Sequence, residues 1–188
     1  MSATLVATLT TSTIAADLQY FLGAGVEKGT VDLNANGLLR DQPYSMSGET
    51  SDTTLKLKAG VILDETSRIS LSHSKFSDLD SDITLILLNY DHLMSINEKT
   101  KLYAGAHLGN ASYDDGYFDF KESGLAYGIQ IGGIYDITEK VELEIGAAYT
   151  KYNVDKSASF SDVNNRITSY NVEMEDSTSM FVGINSKF

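Results

Sequence analysis

Three stretches of the sequence repeat one pattern: a short acidic or polar turn, followed by a segment in which aliphatic residues alternate with small or charged ones. The turns begin at Asp64, Asn97 and Asp136, and the alternating segments that follow run through 68–72, 101–105 and 141–146. Strict alternation with a period of two is typical of a β-strand whose two faces meet chemically different surroundings. Tight turns that alternate with longer polar connections predict an up-and-down barrel.

The same pattern predicts eight strands, each long enough to cross a membrane at a tilt. They span about residues 18–27, 53–63, 67–76, 82–92, 101–110, 123–135, 140–152 and 176–188. With an even number of strands, the first strand begins and the last strand ends at the same rim of the barrel, so both chain termini lie there. We therefore predict an all-β fold, an eight-stranded antiparallel up-and-down transmembrane β-barrel that spans residues 17–188.

The N-terminal residues and the overall charge narrow the possible functions. Residues 1–16 carry no charge and end in small residues, which predicts a signal peptide. Its expected basic start is missing, so we predict that it is truncated at its start; a disordered or short helical segment is the alternative. The formal net charge of -12 and the absence of a basic patch argue against nucleic-acid binding.

Alternation alone does not say which face of each strand lies inside the barrel. A water-soluble barrel would bury the aliphatic face, whereas a membrane barrel exposes it to lipid. Glycine recurs on the polar face, for example at Gly105, Gly128 and Gly132. It weakens an exposed strand, but it makes room for large neighbouring side chains inside a narrow barrel. We therefore predict that the aliphatic face points outward.

With the aliphatic face outward, acidic and basic residues share a narrow interior. Charges removed from water must be paired, since each would otherwise cost several kcal/mol. We predict a network of ion pairs that plugs the lumen, with an ion pathway lined by the same charges as the alternative. The predicted members are Glu27, Lys56, Lys58, Arg68, Asp91, Lys101, Glu142, Glu144 and Lys187.

Aromatic residues on the outward phase lie near both predicted rims. Such girdles are expected at the two interfaces of a membrane barrel, although aromatic residues are common in strands of any kind. The predicted girdle consists of Tyr20, Tyr90, Tyr127, Tyr135, Tyr149 and Phe188.

The last predicted strand places Met180, Val182, Ile184 and Phe188 on the outward phase, with Ser186 interrupting the apolar series. This arrangement resembles the C-terminal assembly signal of bacterial outer-membrane proteins, in which a final aromatic residue ends an alternating strand. The resemblance implies that the barrel-assembly machinery recognises this strand.

Few residues suggest catalysis or ligand binding. The segment Ser72-His73-Ser74 is faintly similar to the His-Ser pair of outer-membrane lipid A deacylases, and an outward His73 would suit a lipid substrate. The neighbouring residues do not match that family, and the sequence places no acidic partner beside the histidine. We predict no catalytic residue, no metal site and no cofactor.

Four segments together resemble the small outer-membrane β-barrel family that includes the opacity-type surface proteins and the OmpA/OmpX-type transmembrane domains. They are residues 20–25, 87–91 and 101–106 and the terminal Phe188. The resemblance implies location in the outer membrane of a Gram-negative cell. It also implies contact with outer-membrane lipids and lipopolysaccharide, and a host or surface ligand held by loops.

The predicted function is that of an integral outer-membrane barrel that acts as a structural or surface-interaction protein through long extracellular loops. A narrow porin-like channel is the alternative, and an outer-membrane lipid-modifying enzyme is a less favoured one. Three connections, 28–52, 111–122 and 153–175, are long and polar, and we expect them to be solvated, mobile loops.

Overall fold

The structure is a computed structural model that describes residues 18–39, 42–78, 81–115, 120–161 and 167–188. Within these ranges the chain forms eight strands. They are β1 Gln19–Leu39, β2 Gln42–Asp64, β3 Ser67–Asp78, β4 Ser81–Asn97, β5 Thr100–Asp115, β6 Phe120–Thr138, β7 Val141–Ser161 and β8 Ile167–Lys187. Among the described residues there is no helix long and apolar enough to cross a membrane. The predicted signal peptide, residues 1–16, lies outside the described residues.

The eight strands form one closed antiparallel barrel in which each strand pairs with its neighbours in sequence and β1 also pairs with β8. The strands are longer than predicted, at 12 to 23 residues. The prediction of loops at 28–52, 111–122 and 153–175 is therefore wrong for most of these residues, because the strands continue through them. Residues 162–165, predicted to lie in the last loop, are outside the described residues.

Three tight turns join β2 to β3, β4 to β5 and β6 to β7, and they share one construction. In each, the side chain of the residue that opens the turn accepts a hydrogen bond from the backbone N–H two residues later, which stabilises the bend. The pairs are Asp64 with Thr66 at 2.7 Å, Asn97 with Lys99 at 3.0 Å, and Thr138 with Lys140 at 3.2 Å. We call this end of the barrel the tight-turn rim, and the other end the opposite rim.

A register shift precedes each tight turn, so that one extra residue is inserted before the bend. The inserted residues are Leu63, Ile96 and Ile137. All three are aliphatic, and Ile96 and Ile137 are well exposed. The insertions therefore carry the apolar outer surface down to the tight-turn rim.

Aliphatic side chains form a continuous exposed band around the barrel, to which every strand contributes. We call this band the aliphatic belt. Its main members, each between 45% and 63% exposed, are Leu22, Val26, Leu55, Leu57, Leu71, Ile86, Leu88, Leu102, Leu108, Ile129, Ile131, Ile145, Val182 and Ile184. The prediction that the aliphatic face points outward is confirmed. Between the belt and the opposite rim lie three exposed lysines, Lys28, Lys75 and Lys151.

The opposite rim is strongly uneven. The β3–β4 hairpin ends at Asp78 and Ser81, whereas β1, β2, β7 and β8 continue about ten residues further, roughly 30 Å of strand. In this extension the strands lie in the order β2, β1, β8 and β7, each paired with the next. Strand β6 is not part of it, because its pairing with β7 ends at Asn153. We call this four-stranded extension, residues 30–39, 42–53, 154–161 and 167–177, the projecting sheet.

The interior is layered along the barrel axis. An apolar cluster near the tight-turn rim contains Phe21, Ile62, Leu93, Tyr103, Ile134 and Phe181. A second apolar cluster nearer the opposite rim includes Val31, Phe76, Ile83, Leu85, Leu87, Tyr152 and Met174. Along β1 the inward residues run from Phe21 through Glu27 to Val31, so Glu27 and its ion-pair partner Lys56 lie between the two apolar clusters.

Candidate functional site

The centre of the lumen holds a cluster of charges from four strands. Arg68 of β3 contacts Asp91 of β4 at 2.8 Å and Glu144 of β7 at 2.7 Å. Lys58 of β2 reaches the same Glu144 oxygen at 2.9 Å, and Asn185 donates to its other oxygen at 2.9 Å. Every one of these side chains is buried. The cluster ties β2, β3, β4 and β7 together across the barrel.

A second ion pair lies toward the opposite rim. Lys56 contacts Glu27 at 2.9 Å, and Ser74 and Ser179 donate hydrogen bonds to the two oxygens of that carboxylate. Beside the pair lies a cavity of about 10 Å³, with room for roughly one water molecule. Its wall combines polar residues, among them Glu27, Lys56 and His107, with apolar ones such as Phe76 and Leu87.

A third set of charges lies at the tight-turn rim. Lys187 contacts Asp136 at 2.6 Å and Glu142 at 2.9 Å. Lys101, which we predicted as a member of the network, is only half buried at the start of β5 and forms no ion pair with any described residue. Its place beside Ile134 at the rim leaves its ammonium group free to reach water.

The buried charges balance. Among the described residues four carboxylates and four cations are buried in the interior; they are Glu27, Asp91, Glu142 and Glu144, and Lys56, Lys58, Arg68 and Lys187. Three of these cations, Lys56, Lys58 and Arg68, also lie against aromatic rings, which contributes further stabilisation. Lys56 is 4.2 Å from the ring centre of Phe181, and Arg68 is 4.9 Å from that of Tyr103.

Glycines make room for the large Tyr103 side chain, as the sequence predicts. A Cβ atom added at Gly132 of β6 would lie 2.5 Å from the Tyr103 oxygen, and one added at Gly146 of β7 would also contact that oxygen. These distances are well below van der Waals contact. The two glycines therefore form the wall against which the phenol packs, and the ring fills the lumen across β6 and β7.

Sequence reasoning missed the apolar cluster nearer the opposite rim. Ile83, Leu85 and Leu87 point inward from β4, while Ile86 and Leu88 point outward. A signal was present, because the segment 85–88 is aliphatic on both phases, which predicts apolar surroundings on both sides of the strand. The uncharged residues that complete the central cluster, Gln130 and Asn185, were also not singled out; Gln130 donates to Asp91 at 2.5 Å.

The predicted outer-surface residues all lie on the exposed face. Tyr20, Tyr90, Tyr127, Tyr135, Tyr149 and Phe188 are between 37% and 68% exposed. Tyr20 stacks on Phe188 with ring centres 6.5 Å apart, which joins the first and last strands. Tyr149 donates to Asp176 at 2.9 Å. Met180, Val182 and Ile184 of the predicted assembly signal are exposed in β8 together with the terminal Phe188.

The structure separates the one candidate catalytic pair. His73 is exposed on the outer face of β3, whereas Ser74 is buried inside and donates to Glu27. Consecutive residues of a strand point to opposite faces, so this serine cannot be activated by this histidine. Among the described residues there is no group of three or more histidines, cysteines or carboxylates that could hold a metal ion.

Comparison with known proteins places the chain by its fold. No protein-family model matches the sequence, and no curated protein matches it. The structure is similar to OprG from Pseudomonas aeruginosa, with a TM-score of 0.60 and 18% identity over 90% of this chain and 95% of that chain. It is also similar to Neisserial surface protein A, with a TM-score of 0.57 and 19% identity over 88% and 97% of the two chains.

A third similar structure is outer membrane protein H (OprH) from P. aeruginosa. Its TM-score is 0.52 and its identity 22%, over 85% of this chain and 99% of that chain. At these identities the likeness is one of fold. The chain thus has the antiparallel up-and-down β-barrel fold of small bacterial outer-membrane proteins.

Proposed function

We propose that this protein is an integral outer-membrane barrel that does not conduct ions and that presents its projecting sheet at the cell surface as an interaction element. The aliphatic belt around a closed ladder is the observation that carries the proposal. A belt of this extent would be costly in water, whereas in a bilayer it matches the hydrocarbon and the closed ladder leaves no backbone group unpaired.

The filled interior supports a structural role over a channel. An ion that crossed the lumen would have to pass both apolar layers and displace paired charges between them. The balance of four buried carboxylates and four buried cations leaves no net charge to attract a counter-ion. No observation favours the porin-like alternative, and the separation of His73 from Ser74 removes the basis for a lipid-modifying enzyme.

The direction of insertion follows from the two rims. In outer-membrane barrels short turns face the periplasm and long segments face outside, so the projecting sheet faces outside the cell. Lipopolysaccharide and the outer-membrane lipids then surround the belt, and the exposed Lys28, Lys75 and Lys151 lie at the level of the outer headgroups. The β8 strand with Phe188 serves as the signal for the barrel-assembly machinery.

Single cysteines test both location and direction, since the natural chain has none. We expect Ser47→Cys in the projecting sheet to react on intact cells with a membrane-impermeant maleimide. Glu98→Cys in a tight turn should react only after the outer membrane is permeabilised. Ile145→Cys in the belt should react neither on intact nor on permeabilised cells. Labelling of Glu98→Cys alone on intact cells would reverse the direction, and recovery of the protein in a water-soluble fraction would refute insertion.

A further inference from the structure

The projecting sheet has an edge on β2 and an edge on β7, and the edge on β2 is the one with a regular strand and no described neighbour beside it. Strand β2 pairs with β1 over its whole length, from Gln19↔Ile62 to Leu39↔Gln42, with no register shift. Its pairing with β3 extends outward only to Lys56↔Ser74, and β3 ends at Asp78. Residues 42–53 of β2 thus have β1 on one side and, among the described residues, no strand on the other.

Side chains close the β2–β3 ladder where this free edge begins. Asp52 accepts a hydrogen bond from the backbone N–H of Ser77 at 2.9 Å, and the Thr54 hydroxyl donates to the carbonyl of Lys75. Beyond this point the backbone N–H and C=O groups of β2 that point away from β1 pair with no described strand. They are therefore a template for a further strand.

Apart from the charges of Glu49 and Asp52, the edge lacks the features by which natural sheets prevent pairing. Such features are lysines, bulges and prolines along the strand. Between residues 44 and 53 there is no lysine, arginine or proline, and Pro43 lies only at the tip. A Cβ atom added at Gly48 would have no neighbour within 4 Å, and Met46 is 68% exposed. The edge of the same sheet on β7 differs, because a register shift precedes it at Lys151/Val154.

The charge on the projecting sheet indicates the kind of strand that fits. The acidic side chains described in it are Asp32, Glu49, Asp52, Glu173, Glu175 and Asp176, of which Glu49 and Asp52 lie on the free edge itself. Two copies of this edge would bring like charges together, which disfavours self-pairing. A basic segment would meet opposite charge on approach and along the strand.

We infer that residues 44–51 of β2 bind an extended, basic polypeptide segment of a partner protein, which adds to the projecting sheet as a further antiparallel or parallel strand. The backbone supplies the hydrogen bonds, and Glu49 and Asp52 select positive charge. The inference rests on the proposed function, because the edge is available to partners only if the projecting sheet faces outside the cell.

The test uses the barrel in detergent micelles and a ten-residue peptide of alternating lysine and valine. Its control is the same peptide with every backbone nitrogen methylated, which keeps the charge but removes the backbone donors of both edges. We expect methylation to weaken binding by roughly tenfold or more. Bound unmethylated peptide should protect alternate amides of residues 44–51 from hydrogen exchange. Equal binding of the two peptides, or no new protection, would overturn the inference.

A matched pair of variants separates edge pairing from general attraction to an acidic protein. Glu49→Lys changes the free edge, whereas Glu173→Lys makes the same charge change on β8, inside the sheet. We expect the first to weaken peptide binding at least several-fold more than the second. Equal effects would reject the edge as the site, and a peptide-free dimer that protects residues 44–51 would identify a second copy as the occupant instead. If the barrel inserts and its cysteines are labelled as proposed but it binds no peptide, the inference about the edge is wrong and the proposed function still stands.

Discussion

Arg68 on β3 and Glu144 on β7 form an ion pair of 2.7 Å across the lumen, although 76 residues separate them in the sequence. Because both groups are removed from water, each depends on the other and on its remaining partners, Asp91 for Arg68 and Lys58 for Glu144, to replace the solvation it has lost. The pair therefore acts as a cross-link between distant walls of the barrel.

Removing both members of this pair should destabilise the barrel by less than the sum of the two single removals. We expect Glu144→Gln to cost about 3–5 kcal/mol of unfolding free energy, because it leaves Arg68 and Lys58 short of a counter-charge. A double-mutant cycle with Arg68→Met, followed by urea unfolding in detergent, should give a coupling of about 1–3 kcal/mol. Lys56 provides the control, since it pairs with Glu27 and should couple to Glu144 by less than about 0.5 kcal/mol. Additive effects of Glu144 and Arg68 would show that the pair does not form.

Two adjacent glycines, Gly132 and Gly133, should differ in how much stability they lose when replaced by alanine. Gly132→Ala places a methyl group 2.5 Å from Tyr103, so we expect a loss of about 1–3 kcal/mol. Gly133→Ala points outward, where the nearest atom of Leu102 is 3.6 Å away, and should change the unfolding free energy by less than about 0.5 kcal/mol. Urea titration of both variants measures the difference. If the two variants have the same unfolding free energy, Tyr103 does not pack against β6.

The aliphatic belt and the projecting sheet should differ in their tolerance of charge. Ile145→Arg should reduce the free energy of folding into vesicles by about 2–4 kcal/mol, since the arginine would lie in hydrocarbon. Met46→Arg is the matched control: Met46 is similarly exposed, but it lies in the projecting sheet and should tolerate the charge. Similar costs at both positions would contradict the assignment of the belt to the bilayer.

The first tight turn provides a local test through pH. Hydrogen bonds from the Thr66 hydroxyl and N–H lower the pKa of Asp64 below its ordinary value of 3.8. A depressed pKa means that the turn gains stability above the unfolded pKa and loses it as pH falls through the folded pKa. We expect the carboxyl carbon of Asp64 to titrate by NMR below the range of unfolded aspartate. In Thr66→Val the midpoint should move upward; an unchanged midpoint would exclude the hydroxyl as a cause.

Period-two alternation was sufficient to predict the number of strands and their order, and the glycines on the polar face indicated which face lies inside. For β8, the alternation of Met180, Val182 and Ile184 with Phe181 and Asn185 leaves only one orientation compatible with a polar interior. The strand ends could not be predicted in the same way. Beyond the belt both faces of a strand meet water, so alternation disappears, and residues 34–37 of β1 then match the composition of a turn.

The pairing inside the lumen depends on geometry that the sequence does not display. Which cation meets Glu144 is determined by the tilt and stagger of strands across the barrel, a property of the closed sheet as a whole. Lys56 and Lys58 have the same phase and nearly the same position, yet only Lys58 reaches Glu144. The free edge of β2 could not be predicted either, because it depends on β2 continuing outward to Gln42, well beyond the end of β3 at Asp78.

The most direct test of the account is electrical recording from the purified barrel in a planar lipid bilayer. If two apolar layers and a charge-balanced network seal the lumen, the folded protein should insert, shift in apparent size on heating in a denaturing gel, and show no resolved channel openings at neutral pH. Large, stable single-channel currents from protein verified as folded would contradict the sealed interior and restore the channel as the function.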